Sequence, residues 1–64
     1  MSAGKKMLLS AEELSEMTGL SIQTFAHWRC QGKGPGYKKI GRMIRYPISD
    51  VEEWLDTYPT IKRS

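Results

Sequence analysis

A glycine- and proline-rich segment at residues 32–36 constrains the fold of this chain more than any other sequence feature. Its letters are G-K-G-P-G, and three glycines with a proline in so short a stretch break both helices and strands. The chain has 64 residues, so only short elements fit on either side of the break. A single domain of this size buries only about 60% of its unfolded surface, and a deep catalytic cleft is not expected.

The segment before the break carries the signature of a short first helix. Ser10 and Glu13 have the spacing of a capping box, in which each side chain accepts a hydrogen bond from the other residue's backbone amide. Leu14 and Met17 follow at helical spacing and give the helix its apolar side. Gly19 stands where a helix ends in a left-handed conformation. We therefore expect a helix of about two turns between Ser10 and Gly19.

A second helix is predicted over Ile22–Gln31, with Ser21 as its N-cap. Phe25 and Trp28 lie at i and i+3 and are expected to form its buried stripe together with Leu20. Two short helices joined by a few residues around a glycine form a helix-turn-helix arrangement, whose second helix can enter a major groove. The spacing alone is a weak signal, because many helical hairpins share it.

Beyond the break, two short stretches separated by a glycine predict a β-hairpin. Gly41 suits the first position of a two-residue type II′ turn. That register places Lys39 on the face of the second strand's apolar residues, whereas a three-residue loop places Lys38 there. Both registers direct Arg45 to the opposite face and put Arg42 at the tip. The sequence leaves open which lysine accompanies Arg45.

A third helix is predicted from a further capping-box pattern, Ser49 with Glu52, and is expected to run through about Thr57. Its apolar residues recur at i, i+3 and i+4, which gives the helix one apolar face. Four aromatic side chains are expected in the core and not as base-stacking platforms: Phe25, Trp28, Tyr46 and Trp54.

The sequence predicts one domain at residues 8–58, a flexible leader at 1–7 and a basic tail at 59–64. The single cysteine excludes an intrachain disulfide and a cysteine-based zinc cluster. No run of 18 apolar residues could span a membrane, and a reducing cytoplasm is the simplest compartment. No catalytic constellation is present, so we expect neither an enzyme nor a bound cofactor or metal.

Charge is strongly segregated along the chain. All seven acidic residues lie in two blocks, at 12–16 and 50–56. Between these blocks, six basic residues follow one another without an acid: Arg29, Lys33, Lys38, Lys39, Arg42 and Arg45. Such a run attracts a polyanion. Combined with the helix-turn-helix arrangement, it favours nucleic-acid binding over a merely solvated basic face.

Several local motifs resemble those of a known family. The likeness rests on L-S-A-E-E-L at 9–14, T-G-L-S at 18–21, G-P-G-Y at 34–37 and R-Y-P-I-S-D-V-E-E-W-L at 45–55. In these motifs the chain resembles the small winged-helix DNA-binding proteins of the excisionase and AlpA-like type, which are related to the DNA-binding domain of MerR regulators. The resemblance implies an α+β, mainly α, winged helix-turn-helix with a two-stranded hairpin wing and a closing C-terminal helix.

The resemblance also implies a role on double-stranded DNA. It points to a cytoplasmic, bacterial or phage-encoded excisionase, that is, a recombination directionality factor of a prophage or mobile element that assembles on DNA with a site-specific integrase. Cooperative self-association on DNA is expected as well. The alternatives are a small AlpA-like transcriptional regulator and, from another class, a protein-interaction adaptor with a basic face. Salt dependence distinguishes DNA binding from the adaptor role. Duplex binding through about five phosphates predicts a slope near −4 to −5 when the logarithm of the binding constant is plotted against the logarithm of the salt concentration.

The candidate DNA-binding residues fall in two groups. In the recognition helix, expected in the major groove, they are Ser21, Gln23, Thr24, His27 and Arg29. In the wing, whose tip is expected to reach the adjacent minor groove, they are Lys38, Lys39, Gly41, Arg42 and Arg45. The glutamine and the histidine are expected to approach base edges, and the hydroxyl and basic groups to contact phosphates.

Some of these residues have a structural alternative. For Ser21 the alternative to a phosphate contact is a role as N-cap alone. For Arg29 the alternative to a phosphate contact is an ion pair with Glu12 or Glu16, and for Arg45 it is an ion pair with the acids of the third helix.

Overall fold

A computed structural model describes residues 7–62 of the chain, so nearly all of the predicted leader lies outside the described residues. Within this range the elements follow in the order β1 (Leu8–Leu9), α1 (Ala11–Thr18), α2 (Ile22–Gln31), β2 (Lys38–Ile40), β3 (Met43–Pro47) and α3 (Ile48–Leu55). The predicted α+β, mainly α, winged helix-turn-helix fold is confirmed.

The helix-turn-helix unit forms as the sequence predicts. The Ser10 hydroxyl accepts a hydrogen bond from the Glu13 amide at 3.1 Å, and the Glu13 carboxylate accepts one from the Ser10 amide at 2.9 Å. Gly19 ends α1 with a φ of 77°, a left-handed conformation that costs glycine no Cβ clash. The Thr18 hydroxyl accepts from the Leu20 amide at 3.2 Å and fixes the turn before α2.

The wing, formed by β2 and β3, adopts the register of the two-residue loop. Lys38 pairs with Arg45, and Lys39 pairs with Ile44. A type II′ turn requires a positive φ at its first loop residue only. Gly41 has a φ of 62°, and Arg42 does not have a positive φ, because only glycines do among the described residues. Directly opposite residues share a face of the sheet. Lys38 therefore accompanies Arg45, and Lys39 lies on the other face with Ile44.

A third strand that the sequence did not predict completes the sheet. β1 pairs antiparallel with β3, so that the strand order is β1-β3-β2 and Leu9 lies opposite Tyr46. Both side chains are buried in the core. The wing is thereby joined to the hydrophobic core through β3, the central strand of the sheet.

The predicted capping box at the start of the third helix is wrong. α3 spans Ile48–Leu55 with Pro47 at its N-cap, and no side chain caps it. Because β3 runs directly into the helix and is paired with β1, the Ile48 amide instead donates to the Met7 carbonyl at 3.0 Å. Ser49 lies inside the first turn of α3, and the helix ends earlier than the predicted Thr57.

The core lies between the three helices and the central strand. Its buried side chains are Leu9, Leu14, Phe25, Tyr46 and Val51. The Phe25 ring centroid lies 5.7 Å from that of Trp28, 6.0 Å from that of Tyr46 and 6.1 Å from that of Trp54. Both tryptophans are half-buried and pack against the core. The expected burial of Leu20 is wrong, because the turn leaves its side chain 37% exposed.

Candidate nucleic-acid interface

The N-terminal turn of α2 presents two neighbouring hydroxyl groups. The Ser21 hydroxyl accepts a hydrogen bond from the Thr24 amide at 3.1 Å, which confirms its predicted role as N-cap. The two hydroxyl oxygens lie 2.8 Å apart. They stand at the positive end of the helix dipole, where a phosphate group is stabilised by charge and by hydrogen-bond donors.

The side of α2 that follows these hydroxyls is polar and exposed. Gln23 and His27 are separated by one helical turn and therefore lie on the same face. Together with Ser21, Thr24 and the edge of Trp28 they line a shallow depression of about 320 Å³. Within residues 7–62 neither the amide of Gln23 nor the imidazole of His27 has a hydrogen-bond partner. Both groups can donate and accept, as reading a base edge requires.

Arg29 turns away from this face and joins α2 to the wing. Its Nη1 donates a hydrogen bond to the Tyr46 hydroxyl at 2.6 Å, and its Cζ lies 5.8 Å from the centroid of the Tyr37 ring. The two tyrosine rings are themselves 6.1 Å apart. We call these three residues the joint. The expected alternative, an ion pair between Arg29 and Glu12 or Glu16, is wrong, because the guanidinium is directed to the wing.

The sequence interpretation missed Tyr37 as part of this arrangement. The signal that could have found it is the hairpin register, since a two-residue loop brings Tyr37 and Tyr46 to the same face of the wing. An arginine on the helix facing this pair can then stack on one ring and donate to the hydroxyl of the other.

Arg45 is also held by its own strand. Its Nη1 donates to the Ile44 carbonyl at 2.8 Å, and its Nη2 lies 4.0 Å from the Met43 sulfur. Across residues 7–62 it forms no ion pair, so the expected alternative of a pair with the acids of α3 is wrong. Its side chain is half-buried on the face that it shares with Lys38.

The other basic residues of the run are exposed. Within the described range, four of them make no side-chain hydrogen bond or ion pair: Lys33, Lys38, Lys39 and Arg42. Arg42 follows Gly41 at the turn of the wing, and the two paired lysines of β2 lie on opposite faces of the hairpin. Of these partner-free cations, the wing carries one at its tip and one on each face, and Arg45 lies beside Lys38. This distribution suits a groove with phosphates along both walls.

The opposite charge is carried by other elements. Residues 21–45, which contain α2 and most of the wing, have no acidic residue, whereas both α1 and α3 are acidic. The segregation along the sequence thus becomes a segregation between elements of the fold. A polyanion meets α2 and the wing without repulsion from their own side chains.

Within 7–62, no group of three or more His, Cys, Asp or Glu could hold a metal ion. No helix in that part of the chain is long and apolar enough to cross a membrane. Cys30 is exposed on α2.

Comparison with known families gives one finding that bears on this geometry. The family model of the helix-turn-helix domain matches residues 8–58, a range that includes both helices of the turn, the wing and α3. A comparison with curated protein sequences gave no significant match.

Proposed function

Because the chain belongs to the helix-turn-helix domain family, it is a small DNA-binding protein, and we propose that it is an excisionase. In this role it binds DNA at an attachment site in the cytoplasm and directs a site-specific integrase towards excision. The DNA-binding part of the proposal is supported by the combination of a polar face on α2 with four basic side chains that have no internal partner within residues 7–62. The excision role is supported by the resemblance of the sequence motifs to those of excisionases. The protein itself catalyses nothing, and strand cleavage belongs to the integrase.

The recognition step uses α2 in the major groove. Gln23 and His27 approach base edges from the exposed face, and each well-formed contact provides about 1–3 kcal/mol of discrimination. Ser21 and Thr24 contact the flanking phosphate at the helix N-terminus and set the depth to which α2 enters.

The wing binds the adjacent minor groove. Arg42 at the tip is attracted by the negative potential of the groove. Lys38 and Lys39, which project from opposite faces of β2, neutralise phosphates on the two walls. Arg29 holds the wing at a fixed position relative to α2, so that both grooves are engaged together.

One recognition helix and one short wing contact few base pairs. A single copy therefore provides limited specificity, and an excision complex overcomes this with several copies beside the integrase. The same contacts would serve a transcriptional regulator at a promoter, and the location of the binding sites separates the two roles.

The test is to incubate the purified chain with sheared DNA from its source genome, then recover and sequence the bound fragments. Clustered repeats beside an integrase attachment site are the expected result. Enrichment at a promoter would contradict the excision role and favour a regulator. Failure to bind duplex DNA even at low salt would instead leave the adaptor.

A pair of variants sharpens the experiment. Gln23→Ala is expected to reduce enrichment of the repeats while leaving salt-sensitive binding intact. Gln31→Ala is the matched control, because it removes the same side chain from the same helix outside the depression that Gln23 lines. Equal enrichment by both variants would remove Gln23 from the recognition mechanism.

A further inference from the structure

An open apolar groove lies where the C-terminal ends of α1 and α3 meet the turn before α2. It has a volume of about 640 Å³. Its principal lining residues are Met17, Leu20, Trp28, Trp54, Leu55 and Tyr58. Met17 is 55% exposed and Tyr58 is 56% exposed, so large apolar side chains face solvent on both sides of the groove. A contiguous apolar patch of this kind on a small protein marks an interaction surface.

The charge around the groove restricts its occupant. The two helices that supply most of its walls, α1 and α3, carry several acids and no basic residue. Such a surface repels DNA and attracts cations. The occupant that fits is an apolar side chain with basic neighbours.

The chain contains such a segment immediately after the groove. Ile61 is 79% exposed and is followed in the sequence by Lys62 and Arg63. It does not fill the groove of its own chain. Pro59 fixes its own φ and disfavours the helical conformation for Tyr58, so α3 does not continue into the tail.

We propose that the groove binds the tail of a second copy of this chain, with Ile61 of the neighbour inserted between Met17 and Tyr58. Lys62 of the neighbour then lies against the acidic helices. This inference rests on the proposed function, for which it names the contact that joins successive copies on DNA.

Two consequences follow from the form of this contact. The tail and the groove are different surfaces, so the contact is head-to-tail and lets copies add in one direction along a duplex. The insertion of one side chain also buries far less area than a stable dimer requires, so this contact alone does not hold the free protein as a dimer. DNA raises the effective concentration of adjacent copies and makes the weak contact effective.

The test compares a duplex that accommodates one copy with a longer duplex that accommodates three, both taken from the enriched sequence. Wild-type chain is expected to bind the longer duplex cooperatively, with a gain of about tenfold to a hundredfold per adjacent copy, the range that burial of one isoleucine side chain provides. Both tryptophans of the chain line the groove, so their emission should shift to shorter wavelength on the longer duplex only.

Variants on both sides of the contact provide the controls. Ile61→Asp should abolish cooperativity and the emission shift while leaving affinity for the short duplex within about twofold of Thr60→Asp, which makes the same charge change beside it. Met17→Gln should act like Ile61→Asp from the groove side. Because Met17 is largely exposed, this variant is expected to fold normally.

Equal cooperativity in Ile61→Asp and Thr60→Asp would overturn the proposal, as would non-cooperative binding by the wild-type chain. Loss of cooperativity in Met17→Gln alone would also overturn it, because another segment would then occupy the groove. The test does not depend on where in the genome the sites lie, so its failure is distinguishable from failure of the excision role.

Discussion

Arginine side chains behave differently at the two ends of the wing. At the joint, the Arg29 guanidinium is half-buried, donates to the Tyr46 hydroxyl and lies over the Tyr37 ring. At the tip, Arg42 is exposed and makes no side-chain contact of this kind within residues 7–62. The difference shows that a count of basic residues overstates the surface available to DNA. Part of the basic run holds the fold together, and the rest is free to meet phosphates.

The joint also explains how α2 and the wing act as one body. Tyr46 is 1% exposed, lies 6.0 Å from Phe25 by ring centroids and pairs across the sheet with Leu9. Arg29 reaches this buried side chain from the recognition helix. Arg42 at the tip is exposed and is not among the residues that pack in the core. Substitutions at the joint should therefore change stability, and substitutions at the tip should change DNA binding.

The largest effect is expected when the support of the joint is removed. Phe25→Ala leaves a cavity between Trp28, Tyr46 and Trp54 and should reduce the free energy of unfolding by about 3–5 kcal/mol. Since a core in a domain of this size rarely supplies more than about 3–5 kcal/mol, the variant should be largely unfolded. Urea denaturation followed by circular dichroism measures this. Retention of wild-type stability would contradict the placement of Phe25 at the centre of the core.

A smaller loss is expected when the joint itself is broken. Arg29→Met removes the hydrogen bond to Tyr46 and should lower the free energy of unfolding by about 1–2 kcal/mol. A double-mutant cycle with Tyr46→Phe should be non-additive, because both changes delete the same bond. Strict additivity would contradict the contact. If Arg29 instead contacts a phosphate, Arg29→Met will reduce the salt dependence of DNA binding, which we do not expect.

The same distinction between engaged and free side chains applies to the serines at the helix starts. Ser21→Ala deletes an N-cap and should cost about 1 kcal/mol of stability. Ser49→Ala is the matched control and should change stability by less than about 0.5 kcal/mol, since Ser49 makes no cap. Equal losses in thermal or urea unfolding would show that the sequence-predicted capping box at Ser49 forms after all.

The smallest effect on stability is expected at the tip. Arg42→Ala should leave the free energy of unfolding within about 0.5 kcal/mol of wild type. It should nevertheless weaken duplex binding and lower the magnitude of the log–log salt slope by about 0.9, the contribution of one phosphate contact. Lys62→Ala also removes one positive charge outside the wing, and it is the control on a duplex that accommodates a single copy, where no contact between copies forms. Unchanged affinity for Arg42→Ala would remove the wing tip from the mechanism.

Local chemistry was sufficient to predict the first two helices. Ser10 and Ser21 each precede an apolar-periodic run, and the bonds that they make involve neighbours three residues away, so the sequence contains all the information needed. The pattern at Ser49 is equally suggestive and failed, because the start of α3 is decided by a contact with Met7 at the other end of the domain. β1 was missed because a strand of two residues shows no periodicity and because its pairing with β3 is a contact between residues distant in sequence.

The candidate site was predictable in its elements and not in its side-chain roles. The sequence placed the cations on α2 and the wing, but Arg29 and Arg42 are the same residue type and nothing local separates them. Lys38 and Lys39 were likewise interchangeable until the hairpin register assigned each to a face. Each distinction depends on a partner distant in sequence, such as the Tyr46 hydroxyl.

The most direct test of the interface is a salt titration of duplex binding by the wild-type chain. Four basic side chains without internal partners should release counterions from four phosphates, which predicts a log–log slope of about −3.6. Engagement of all six residues of the basic run would raise the magnitude to about 5.4. That result would contradict the division between the two engaged arginines, Arg29 and Arg45, and the four free cations. A slope near zero, or no binding to duplex at low salt, would contradict DNA binding through this face.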